Sequence, residues 1–154
     1  MDKNRMFEME WPDLGMKVAV TMMEKEAPKL CDAIWNAFPF ESVTTHLYVS
    51  GQALSIPTQI YIPEVVENTV TLDEKFKPGY ISYSGLSLFF VVGYGKLTEP
   101  MNQSVFAKVN DEDLKTLTQV GVKVWENTVT QAWDPTTNRY GKRVIKVICR
   151  KKEA

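Results

Sequence analysis

Histidine occurs once in this chain, cysteine twice, and neither sign of charge prevails. Each scarcity excludes something. One histidine, His46, and two cysteines far apart, Cys31 and Cys149, supply too few of the usual ligands for a protein-built zinc site. The two cysteines make no disulfide framework. Each lies among apolar neighbours and is expected as a reduced core thiol. Eighteen basic residues against nineteen acidic ones give a net charge of −1, which leaves no concentrated basic face for nucleic acid or an anionic membrane. The one basic cluster, Arg150-Lys151-Lys152, is expected to be solvated. No apolar run approaches membrane-spanning length, and the opening segment MDKNRMFEMEWPD lacks the apolar stretch of a signal peptide, so a cytoplasmic location is expected. Also missing are GxGxxG, a phosphate loop, HExxH, CxxC and the GxSxG nucleophile elbow. Asp111-Glu112-Asp113 reads as a charged helix start rather than a metal site. No cofactor and no metal is expected.

What is present points to strands. With 154 residues, 44% of them hydrophobic, the chain is large enough to bury a core without disulfides and is expected as one domain over 1–154. Phe7, Met9 and Trp11 alternate with polar residues. Pro12-Asp13-Leu14-Gly15 then supplies a turn, and Met16, Val18 and Val20 continue as the second strand of a hairpin. Ala27, Leu30, Cys31, Ile34 and Phe38 keep helical spacing, with Pro28 in the first turn and Pro39 at the end. Glu41–Ser50 alternates, with Val43, Thr45, Leu47 and Val49 as the apparent core face and His46 and Tyr48 on the other. Short extended pieces follow around Gln59–Ile62 and Val70–Leu72. Between Glu67 and Val109 come three more strand-like runs. The middle one, Leu86–Tyr94, is almost wholly apolar and is expected to be covered on both faces, as in a small closed barrel. A second helix is expected after Asn110 or Asp111, with a stripe of Leu114, Leu117, Gly121, Val124 and Trp125. Gly121 in mid-helix costs about 1 kcal/mol against alanine, which suggests a close helix–barrel contact. Residues 132–154 are expected as a C-terminal extension carrying an edge strand.

The chemistry is written as a constellation rather than a motif. His46 is the one side chain with an unperturbed pKa near neutrality, and Tyr48 projects from the same strand face. Tyr80, Tyr83 and Tyr94 come from other strands and could line one concavity with them. A histidine among tyrosines around an apolar pocket suits acid–base work on a small organic molecule. Glu67 and Asn68, just before a strand, are further ligand-binding candidates.

The wording Glu67-Asn68-Thr69, Lys77-Pro78-Gly79, Gly93-Tyr94-Gly95 and Val105-Phe106-Ala107, with Ala27-Pro28 and Trp35-Asn36-Ala37-Phe38-Pro39 upstream, resembles the cyclophilin-like small bacterial proteins. It is similar to a DUF3830-like group and to the cyclophilin-like domain of cucumopine synthase. The resemblance covers roughly residues 14 to 128. It implies a mainly β fold with two helices at the ends of a closed barrel, a pocket on one side, and a homo-oligomer. By analogy with cucumopine synthase it implies a cofactor-independent Pictet–Spengler-type condensation of an amine with a carbonyl compound. His46, Tyr48 and Glu67 would then be catalytic, and Tyr80, Tyr83, Tyr94 and Asn68 would bind substrate. The alternative is a non-catalytic small-molecule-binding or assembly module of the same fold. Peptidyl-prolyl isomerase activity is disfavoured, since Glu41–Ser50 contains no arginine where such isomerases carry one.

Overall fold

The computed structural model describes residues 4–47, 49–85, 87–129, 133–134, 139–140 and 144–153. The chain opens with the expected hairpin, β1 (Met6–Trp11) and β2 (Met16–Met22), paired from Met6↔Thr21 to Trp11↔Met16. Its turn is a 3-10 segment, Pro12–Leu14, closed by Gly15 at φ 63°, a left-handed conformation that glycine adopts without steric cost. Helix α1 (Pro28–Ala37) buries Leu30, Cys31 and Ile34. Then follow β3 (Phe40–His46), β4 (Gly51–Pro57), β5 (Thr69–Thr71), the single turn α2 (Leu72–Lys75), β6 (Tyr80–Ser84), β7 (Phe89–Leu97) and β8 (Asn102–Val109). A 3-10 turn at Asp111–Asp113 leads into α3 (Leu114–Val129). After a two-residue pair, β9 (Trp133–Asp134) with β10 (Arg139–Tyr140), comes β11 (Ile145–Lys152).

Eight antiparallel strands run in the order β2-β1-β11-β3-β4-β7-β6-β8, and β8 returns to β2 through Val20↔Val109, Thr21↔Lys108 and Met22↔Ala107. The sheet is therefore a closed barrel, with β5 added on the outside of β8. Closure gives each of these strands a neighbour on both sides. Phe7, Met9, Leu54, Ile56, Phe90, Val92 and Phe106 fill the interior and are fully buried. On β7 the intervening Val91 belongs to a second cluster with Ala53, Leu72, Phe76, Leu97 and Val105, under α2. Burial on both faces explains why this strand is apolar at nearly every position. The helices close the two ends. At one, Phe38 just after α1 meets Phe7 at 4.8 Å between ring centroids. At the other, Leu117, Val120 and Val124 of α3 join the same core.

Three expectations need correction. The apolar face of β3 is not the Val43 face: Val43 is exposed, while Thr44 and His46 point inward. Polar residues can occupy the inner face here because they are bonded there, Thr44 accepting from the Trp11 indole N–H at 2.9 Å. Secondly, Ile145–Lys152 is no edge strand of an extension. It pairs with β1 on one side and β3 on the other and completes the barrel. Of its basic residues, Arg150 bonds Glu8 and Glu10 and Lys151 lies over the Trp35 ring, while Lys151 and Lys152 are exposed as expected. Thirdly, Gln59–Ile62 forms no strand. Cys31 and Cys149 are free and buried, and burial pushes both thiols up to about 12.

Candidate functional site

His46 is the last residue of β3, opposite Leu54, so its ring enters the barrel at the end that α3 covers. Nε2 lies 2.7 Å from the hydroxyl of Tyr94 on β7. The ring stands edge-on to Trp125 of α3 at 4.9 Å and to Tyr94 at 5.6 Å. Only 6% of His46 is exposed, and Nδ1 has no hydrogen-bond partner among the described residues. Burial lowers the pKa of His46 and raises that of Tyr94, so the pair is uncharged at neutral pH. Gly121 makes the arrangement possible. A Cβ at that position of α3 would run into the Tyr94 ring, which is the close approach suggested by a glycine in mid-helix.

The other predicted site residues lie elsewhere. Tyr48 falls outside the described residues. Glu67 is at the opposite end of the barrel, where its carboxylate accepts the backbone N–H groups of Lys29 at 3.3 Å and Leu30 at 3.0 Å and so caps α1. Asn68, at φ 46°, donates its side-chain amide to Val105. Tyr83 is buried and donates its hydroxyl to the Ile60 carbonyl. Tyr80 sits half-buried against Phe76 outside the barrel. Of the seven residues, the fold brings His46 and Tyr94 together and gives Glu67, Asn68 and Tyr83 structural partners.

A second feature, not anticipated from sequence, is a break in the wall. Leu47 donates to Ala53 at 2.9 Å, and β3 pairs with β4 at His46↔Leu54 and Thr45↔Ser55. The next hydrogen-bonded pair in this register would set Val43 against Pro57. Proline has no N–H to give, and the ladder stops there. Ser42 Oγ instead donates to the Pro57 carbonyl at 2.6 Å, and Thr58 turns its N–H to Leu88 at 2.7 Å. Beyond this point the strands part around a cavity of about 450 Å³, lined by Ala37, Phe40, Glu41, Ser42 and residues 57–60. Glu41 at its rim pairs with Lys146 at 2.7 Å. The signal available in the sequence was Pro57 itself, at the end of an otherwise apolar strand. No cluster of metal-ligating side chains occurs among the described residues, and no helix among them is long and apolar enough to cross a membrane.

No family model and no curated protein matches the chain. Among solved structures it is similar to McbB in complex with tryptophan, at 26% identity and a TM-score of 0.77 over 96% of this chain. The match takes in 45% of McbB, so the chain spans less than half the length of that relative. The hypothetical protein AF2241 from Archaeoglobus fulgidus shares the fold at 12% identity and a TM-score of 0.59, over 97% of this chain and 95% of that one.

Proposed function

We propose that the chain binds a tryptophan-like amino acid and condenses its amine with a carbonyl compound in a Pictet–Spengler-type reaction. The observation that carries this reading is the likeness to McbB, a structure holding tryptophan, along almost the whole of this chain. In such a reaction the amine adds to the carbonyl carbon, water leaves to give an iminium, and a ring carbon attacks the iminium carbon. A base then removes the ring proton. The chemistry needs one group that gives a proton to the departing hydroxyl and one that takes a proton from the ring.

His46 and Tyr94 are the proposed pair. A neutral imidazole that donates Nε2–H to Tyr94 presents a free lone pair at Nδ1, the atom without a partner among the described residues. The rings of Tyr94 and Trp125 lie beside it, and an aromatic face turned to the iminium would stabilise that cation by up to about 2 kcal/mol when desolvated. Incubating the protein with tryptophan and a small aldehyde or keto acid tests the reaction. Product formed by wild type and lost in both His46→Asn and Tyr94→Phe supports it. Unchanged turnover in His46→Asn removes the residue assignment.

One observation favours a second reading. His46 is only 6% exposed, and its ring is packed against Trp125 and Tyr94. A non-catalytic small-molecule-binding module would leave the histidine in such packing. Binding of tryptophan with no product from any carbonyl partner, and unaltered binding by His46→Asn, is the outcome that reading expects.

A further inference from the structure

The break in the barrel wall has a definite chemistry. Leu47 gives its N–H to β4, and successive residues of a strand alternate the side on which both backbone polar groups point. Thr45, Val43 and Glu41 therefore turn theirs toward β4 as well. Thr45 finds Ser55. Glu41 faces the cavity, with a donor and an acceptor on one residue and no strand opposite. The floor of the same cavity is apolar, from Ala37 at the end of α1, Phe40 and Ile60. Phe40 is held in place by Phe38 at 5.6 Å and Phe90 at 5.9 Å. The rim carries no uncompensated charge, because the Glu41 carboxylate is paired with Lys146. A volume of about 450 Å³ is in the range of sites that enclose small organic ligands.

We propose that this proline-ended seam between β3 and β4 binds an α-amino acid with an apolar side chain, or its amide. The ligand's nitrogen donates to the Glu41 carbonyl and its carboxylate or amide oxygen accepts from the Glu41 N–H. It thus supplies one residue's worth of the missing ladder, while its side chain covers the Phe40 floor. A neutral rim selects a zwitterion or an uncharged amide over a free amine or a free acid. Glu41 lies five residues from His46 along β3, about 16 Å at the rise of a strand, so the seam is a second site, apart from the one proposed for the condensation. The inference rests on the binding part of the proposed function and not on the condensation.

Amide chemical-shift titration of the wild-type protein with tryptophan and with N-acetylleucinamide, which carries no charge, tests it, alongside Ala37→Trp, which fills the cavity, and Pro57→Val, which restores the missing N–H. The expected result is a set of shifts gathered at Phe40–Ser42 and residues 58–60. Affinity should fall by about tenfold or more in both variants. Should Ala37→Trp lose the dispersed spectrum of a folded protein, Ala37→Leu takes its place. Shifts gathered at His46, Tyr94 and Trp125, with wild-type affinity in the seam variants, overturn the seam and leave the binding reading standing. No shift with either ligand at millimolar concentration overturns both.

Discussion

At the scale of single residues, the His46–Tyr94 contact is the most consequential, and its energetics are testable apart from any activity. The folded protein resists protonating His46 because burial disfavours the charged ring. The unfolded chain titrates near the ordinary value of about 6.5. Below that pH the unfolded state binds a proton that the folded state does not, so stability is lost as pH falls. Thermal melts of wild type and His46→Gln between pH 7.5 and 5 should show wild type falling more steeply. Parallel curves would mean that His46 titrates normally. Gly121→Ala offers a second test. Alanine gains about 1 kcal/mol of helix propensity, yet its Cβ collides with the Tyr94 ring, and overpacking of this kind costs about 1–3 kcal/mol. Moving that ring also strains the bond to His46. The net effect should be a lower denaturant midpoint, and a higher one would show that the ring has room to move. The sequence set His46 and Tyr94 among the candidates around one concavity but did not mark them as bonded partners, because they are 48 positions apart and meet only through the order of β3, β4 and β7.

The elements themselves were easier to read. Alternation in β1 and β2, the Pro12–Gly15 turn and the spacing in α1 each follow from local pattern and lie where the pattern put them, while the apolar run expected at Leu86–Tyr94 forms β7 three residues later, at Phe89–Leu97. β3 misled for a physical reason. Its inward residues Thr44 and His46 are polar and bond the indole of Trp11 and the hydroxyl of Tyr94, so the exposed Val43 looked like the core face. Pro57 was visible as a letter, but its effect depends on the register that sets it against Val43. Glu67 carries an element-scale prediction. Its carboxylate receives two N–H groups at the start of α1, so Glu67→Ala should cost about 1 kcal/mol, read as a lower denaturant midpoint with an unchanged slope. Glu67→Gln keeps an acceptor and loses the charge, and should fall between. Equal stability of all three would show that the cap contributes nothing.

For the whole molecule, closure is the organising fact. β11, far from β1 and β3 in sequence, lies between them and turns an open sheet into a barrel whose two ends receive α1 and α3. One end holds His46 and Tyr94, and the wall holds the seam at Pro57. Both can exist only because the strand order is fixed around the full circle. The central claim for this barrel is the union of an amino-acid amine with a carbonyl compound. Mass analysis of the products from tryptophan and a small aldehyde tests it most directly. The expected product has the summed mass of the two reactants less one water, and is a cyclised compound enriched in one diastereomer and formed at a rate proportional to protein concentration. Only the diastereomer mixture of a protein-free control, at the rate of that control, would contradict it.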